Sequence, residues 1–268
     1  MSPSIDVFDR TAVRRHKSRA AGRLEDHDFL FKEAGERLAD RLDDIKRSFP
    51  LALDLGCRGG QLARLLGGRG GIQTLVHSDL SLEMLRRAEG LRVAADEEAL
   101  PFSGKCFDLV LSCLCLHWVN DLPGLLVQVR RALKPDGLFL AAMLGGETLK
   151  ELRQALGEAE LAVEGAVSPR VSPFADIRDL GALLQRAGMA LPVADADTIE
   201  VTYEDPGMLM RDLRGMGESN AQASRRKGFT RRATLSAAMA RYKELFADAK
   251  GCVPATFEVI TLTAWAPQ

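Results

Sequence analysis

The chain has 268 residues, 46% of them hydrophobic and 27% charged, a globular composition that excludes a disordered or fibrous protein. Thirty-six basic residues against 37 acidic ones leave a net charge of -1, which excludes broad, non-specific attraction to nucleic acid or to an anionic membrane. No apolar run approaches the ~20 residues of a membrane helix, and the N-terminus shows basic residues without a hydrophobic signal core. The length suits one core with additions. Five cysteines at 57, 106, 113, 115 and 252 form an odd set without a C-x-x-C pair, so a reducing compartment is expected, with the chain either cytoplasmic or a mature organelle protein.

In chain order, residues 27–45 carry Leu30, Ala34, Leu38, Leu42 and Ile45 at helical spacing, the apolar stripe of an amphipathic helix. LALDL is a short strand, GGQLARLLGG a helix closed by glycines, and IQTLVHSD a second strand. SLEMLRRAEG then reads as a helix with Ser81 as its N-cap, and LRVAA as a third strand. CFDLVLSCLCL, DLPGLLVQVRRAL, KPDG and LFLAAML follow as strand, helix, turn and strand. Beyond residue 145 helices are predicted in GGETLKELRQALGEAEL, SPFADIRDLGALLQRAG, DPGMLMRDLRGMG and TRRATLSAAMARYKELF, with late strands in TIEVTY and ATFEVITLTAW. Alternating strands and helices, with strands apolar on both faces, predict a Rossmann-like, doubly wound α/β sheet of about seven strands. The last strand is expected to be antiparallel, with helical lid insertions around the core. The expected division is a helical segment at 1–46, a ligand-binding core at 47–145, and a lid with the final strands at 146–268.

In such folds ligands bind beyond the carboxyl ends of the strands, where glycines let backbone approach the ligand. Gly56, Gly59 and Gly60 follow the first strand, but Asp54 before them suits an amine or sulfonium better than a pyrophosphate. Asp79, followed by Leu80, ends the second strand, where such enzymes place an acid that accepts ribose hydroxyls. Asp96 and Glu97 follow the third strand and could accept from an adenine amino group. Acids at three successive strand ends describe a nucleoside with a cationic tail and no phosphate, which is S-adenosyl-L-methionine. A nicotinamide dehydrogenase is disfavoured because G-x-G-x-x-G is absent.

DLGCRGG, the acid of HSD, DEEALPF, FDLVLS and LKPDG follow the motif order of class I S-adenosylmethionine methyltransferases, which the chain resembles over residues 50–143. It departs at Arg58, where that family expects its middle glycine. VFDR, FPLALDLGC, LHWVNDLP, GGETLKELR, DLGALLQRAG, LRGMGESNA and VPAT extend the resemblance over nearly the whole chain, to a family of complex I assembly factors in mitochondria and their bacterial relatives. The resemblance implies a methyltransferase fold and hydroxylation of an arginine in the iron-sulfur subunit of complex I as the partner protein. Biotin-pathway methyltransferases that esterify malonyl carrier protein are more distant look-alikes.

His117, just beyond the fourth strand, reads either as a base or substrate-orienting group, or as a loop histidine satisfied by backbone. Trp118 reads as a stacking surface or as a core closure. A guanidinium substrate needs carboxylates, and Glu147 and Glu218 are the candidates, the alternative being solvated helix-end acids. Arg19, with Arg10 and Arg14, is the expected holder of the cofactor carboxylate. SRRKGFTRR is a local basic cluster, either solvated or docked on an acidic surface. Methyl transfer needs mainly alignment, whereas hydroxylation needs activated oxygen, usually on iron held by histidines and a carboxylate. With only His16, His27, His77 and His117, no iron site is legible, and no metal is expected. Three readings stand: a methyltransferase acting on a protein, an arginine hydroxylase, and a non-catalytic assembly chaperone.

Overall fold

A computed structural model describes residues 6–268. Seven strands form one sheet in the order β3-β2-β1-β4-β5-β7-β6: β1 Leu51–Leu55, β2 Thr74–Asp79, β3 Leu91–Ala94, β4 Phe107–Cys113, β5 Leu133–Leu144, β6 Ala190–Tyr203 and β7 Val253–Trp265. The first five pair in parallel, and β7 runs antiparallel between β5 and β6. The chain's final strand therefore sits inside the sheet, with β6 at the edge. β6 also begins well before the predicted TIEVTY segment, because its long pairing with β7 recruits polar residues. Its exposed face carries Asp195 and Asp197, which ion-pair with Arg41 and Arg37, charges that discourage further strand addition.

Burial on both faces follows from alternation along the strands. In β5, Leu138, Leu140, Ala142 and Leu144 join one core, whereas Phe139, Ala141 and Met143 join the other. The first core is covered by α2 (Phe29–Asp43), α6 (Lys150–Glu164) and α8 (Pro206–Gly215), through Leu38, Leu152 and Leu209 among others. The second core is covered by α5 (Leu122–Ala132) and α7 (Ile177–Arg186), through Leu125, Val129, Leu180 and Leu184. The remaining helices are α1 Arg10–Ala20, α3 Gln61–Leu66, α4 Leu82–Leu85 and α9 Arg232–Phe246. Among the capped termini, Ser81 Oγ accepts from Met84 N at α4, as expected, and Asp9 Oδ1 accepts from Ala12 N at α1.

The order of winding reverses between β1 and β4, which opens a crevice at the carboxyl ends of these strands. Helix α1 lies over this crevice. Its leading segment is tied to the loop after α8 by Asp9 N donating to Ala221 O (2.8 Å) and Ala223 N donating to Val7 O (2.8 Å).

Candidate active site at the strand ends

The turn after β1 is built by backbone that few residues tolerate. Gly56 has φ 71° and Gly60 φ 76°, and between them Arg58 itself takes φ 51°. The turn is thus not displaced onto Gly59. Arg58 adopts the left-handed conformation usual for the missing glycine, which costs about 1 kcal/mol or more for a residue with a Cβ. Gly56 N and Cys57 N both donate to Ser78 O (2.8 and 2.9 Å), and Arg58 N donates to Asp79 Oδ2 (2.9 Å), pinning the turn to β2. A Cβ on Gly56 would stand 2.2 Å from Cys115 Sγ, so this glycine is required by close packing as well as by its φ.

Asp79 is fully buried, and both its oxygens are engaged by the chain itself. Oδ1 accepts from Ser81 N (2.8 Å), and Oδ2 accepts from Arg58 N and from Lys17 Nζ (3.2 Å). Lys17 comes from α1, is 1% exposed, and also donates to Glu97 Oε1 (3.1 Å) and Cys115 Sγ (3.4 Å). About two turns earlier on α1, Arg10 pairs with Asp96 Oδ1 (2.5 Å) and with Glu97, and donates to Trp118 O (3.0 Å). Burial works against the Glu97 carboxylate, yet the charges of Lys17 and Arg10 outweigh it and hold the acid at about 2. Burial likewise opposes the Lys17 ammonium, but the facing Asp79 keeps it charged well above its ordinary range. The acids after β2 and β3 are thus met by two cations of the first helix, whereas Asp54 of β1 faces His77.

A second constellation lies beside it. Arg58 sends its buried guanidinium to Glu218 in the loop after α8 and donates to Met216 O (3.0 Å) and Leu114 O (2.9 Å). The guanidinium also stacks 4.2 Å from the centre of the Phe31 ring. The other Glu218 oxygen receives Trp118 Nε1 (2.8 Å) and lies 3.0 Å from His117 Nε2. His117 Nδ1 accepts from Leu144 N (3.5 Å), so Nε2 carries the proton toward Glu218. Burial raises the Glu218 acid, but Arg58 and then His117 pull it down to about 2. Glu218 and Trp118 of this cluster line a cavity of about 540 Å³, whose other walls include Leu144, Leu152, Phe174, Met210 and Arg214.

The structure thus brings together His117 and Glu218, but not Glu147. Glu147 is exposed and pairs with Lys150 (3.3 Å) on its own helix turn, because the α6 entry points it to solvent. Glu218 is no free guanidinium acceptor, since Arg58 of the same chain already fills that role. Trp118 meets both readings: it packs edge-on to Phe8 (5.3 Å) in a small core with Leu80 at its margin, and it lines the cavity. Arg10 holds acids rather than awaiting a carboxylate, and Arg19 lines a separate arginine-rich cleft with His16, Arg23 and Arg214. Arg14 is exposed. His77 and Asp79 do not act as a pair. His77 Nδ1 is 3.1 Å from Asp54 Oδ2, its cross-strand neighbour in the parallel register, while Asp79 turns to Lys17. From the basic cluster, Arg225 pairs with Asp9 (2.9 Å) and Arg226 with Glu164, whereas Phe229 is fully exposed. Sequence reasoning missed Lys17, although Val13, Lys17, Ala20 and Leu24 share helical spacing and so place a lysine on a buried stripe.

Comparison with known proteins agrees with this geometry. A methyltransferase domain model matches residues 53–141. The chain is 47% identical to a Danio rerio protein named arginine-hydroxylase NDUFAF5, mitochondrial, over 98% of this chain and 84% of that one. It is 36% identical to a malonyl-[acyl-carrier protein] O-methyltransferase of Methylovorus sp. (strain MP688), over 100% of this chain and 93% of that one. Among solved structures, phosphoethanolamine N-methyltransferase 2 of Haemonchus contortus, in complex with S-adenosyl-L-methionine, superposes with a TM-score of 0.59 at 17% identity, over 96% of this chain and 60% of that one. The chain belongs to the class I, S-adenosylmethionine-dependent methyltransferase family of enzymes, in company with the NDUFAF5 arginine hydroxylases and the malonyl-[acyl-carrier protein] methyltransferases.

Proposed function

We propose that this chain is an S-adenosylmethionine-binding enzyme that modifies a protein substrate during the assembly of respiratory complex I, with the iron-sulfur subunit as that substrate. The observation that carries the nucleoside is the set of acids at the ends of β2 and β3, with Asp79 for the ribose hydroxyls and Asp96 and Glu97 for the adenine edge, beside the glycine turn at Gly56 for close backbone approach. Leu80 and Gly60 frame that seat. The acids suit the cofactor chemically, and binding exchanges the Lys17 and Arg10 ion pairs for ribose and adenine contacts, which requires α1 to shift. The cofactor, when bound, supplies an electrophilic methyl group on sulfur. The chain's own residues then orient and exclude water: Arg58 and His117 hold Glu218 from behind, and Glu218 with Trp118 faces the cavity as a preset wall.

The resemblance to the complex I assembly factors over nearly the whole chain supports the complex I role, and the protein modification is methylation in this first reading. A second reading, arginine hydroxylation, is favoured by Arg58, because a buried cation in the glycine turn stands beside the seat where a cationic sulfonium would be brought. Calorimetry against S-adenosylhomocysteine tests the nucleoside seat, with saturable binding expected. Intact mass of the iron-sulfur subunit, from cells with and without this gene, separates the readings. A gain of 14 Da marks methylation, a gain of 16 Da marks hydroxylation, and no gain leaves an assembly chaperone.

A further inference from the structure

We propose that Asp54, Cys57 and His77 form a binding site for one divalent transition-metal ion of the iron, cobalt and zinc group. The parallel register of β1 and β2 sets Asp54 opposite His77, and the turn through Gly56 and the left-handed Arg58 folds Cys57 over the pair. One donor atom from each residue then lies within 4.8 Å of the others. All three side chains are withdrawn from solvent, at 1%, 4% and 3% exposure.

The cluster is poorly satisfied without an ion. Among the described residues, Asp54 Oδ1 is buried with no hydrogen-bond partner, and Oδ2 meets His77 alone. Buried polar atoms of this kind are costly unless something meets them. The buried cations of the site do not meet it: Lys17 is committed to Asp79 and Glu97, and Arg58 to Glu218. Burial, with the nearby Asp54 charge, holds the Cys57 thiol protonated, so an entering ion must release that proton. A carboxylate and a thiolate then neutralise the divalent charge, with imidazole as the third ligand. One oxygen, one sulfur and one nitrogen donor suit borderline ions, and disfavour magnesium and calcium, which take oxygen ligands. His77 also lines a cavity of about 190 Å³ with Gly59, Gly60, Arg64 and Glu89, which gives an ion a way in and water a way to the remaining coordination positions.

This inference does not rest on the nucleoside seat, which is built on Asp79, Asp96 and Glu97. It would add to the hydroxylase reading the redox-capable centre that reading needs, with iron as occupant.

The test uses the full chain, stripped with a chelator, loaded with Co(II) under anaerobic conditions and desalted. The expected result is one cobalt per chain by elemental analysis, with a thiolate-to-cobalt charge-transfer band. Cys57→Ser is expected to abolish the band, and His77→Asn to weaken retention about tenfold or more. Cys106→Ser, a thiol outside the cluster, is expected to leave both unchanged. Failure of the wild type to retain cobalt, or persistence of the band in Cys57→Ser, overturns the proposal. Should the variants fail to fold by circular dichroism, X-ray absorption of the loaded wild type decides: a sulfur at about 2.3 Å supports the site, and its absence overturns it. Calorimetry with S-adenosylhomocysteine on stripped and loaded samples keeps this outcome separate from that of the nucleoside seat.

Discussion

Lys17 of the first helix and Asp79 at the end of β2 form a buried ion pair of 3.2 Å. In the proposed nucleoside seat the lysine occupies the acid that a ribose would engage. Lys17→Met leaves Asp79 and Glu97 without their shared cation, and removing one member of such a pair costs about 3–5 kcal/mol. The thermal midpoint is expected to fall, and the upward shift caused by saturating S-adenosylhomocysteine to exceed that of the wild type. Scanning fluorimetry of both proteins, with and without the nucleoside, checks this. Loss of the shift in the variant would instead make Lys17 a ligand contact.

Arg58 and Glu218 are coupled across the site. Glu218→Gln leaves the guanidinium buried without a counter-charge and is expected to cost about 3–5 kcal/mol. Arg58→Gly relieves the left-handed strain by about 1 kcal/mol but abandons Glu218, so a net loss is expected. The double variant is expected to lose less than the sum of the two single ones, in a urea-unfolding cycle.

Glu97 and Glu218 both sit at about 2 in the fold, below their ordinary 4.5. A depressed acid stabilises the fold above its unfolded value, and that stability is lost as pH falls from about 4.5 toward 2. Thermal midpoints are expected to drop across this window, with a shallower slope in Glu218→Gln. A slope unchanged by that substitution would remove Glu218 from the account.

Gly56→Ala must fit a methyl group 2.2 Å from Cys115 Sγ while holding φ 71°. A loss of about 1–3 kcal/mol is expected from overpacking. Adding Cys115→Gly, which removes both the sulfur at 2.2 Å and the Cβ at 2.5 Å, is expected to return the part due to the clash and leave the part due to the backbone at position 56. Equal losses in the single and double variants would show that strain alone governs this glycine.

The sheet was legible because its strands alternate between two buried faces: Leu138 to Leu144 read as a strand from apolar content alone, and Asp54 and Asp79 mark the ends of β1 and β2. Ser81 and the glycines of the first turn were legible for the same local reason. What covers those ends was not. Lys17 reaches Asp79 across 62 positions of sequence and Arg58 reaches Glu218 across 160, and no local pattern encodes pairings at that distance. Glu147 and Glu218 look alike as loop acids, and only the fold sends one to water and the other under Arg58. Arg58 in a glycine position was visible as a departure, but its resolution needed the φ of 51° and the partner on the far loop.

The two β-type hydrogen bonds that join residues 7 and 9 to residues 221 and 223 fasten the first helix to the loop bearing Glu218. On the proposed nucleoside seat, withdrawing Lys17 from Asp79 would tug on the wall of the neighbouring cavity, and reactant entry is then expected to follow a compulsory sequence, nucleoside before protein.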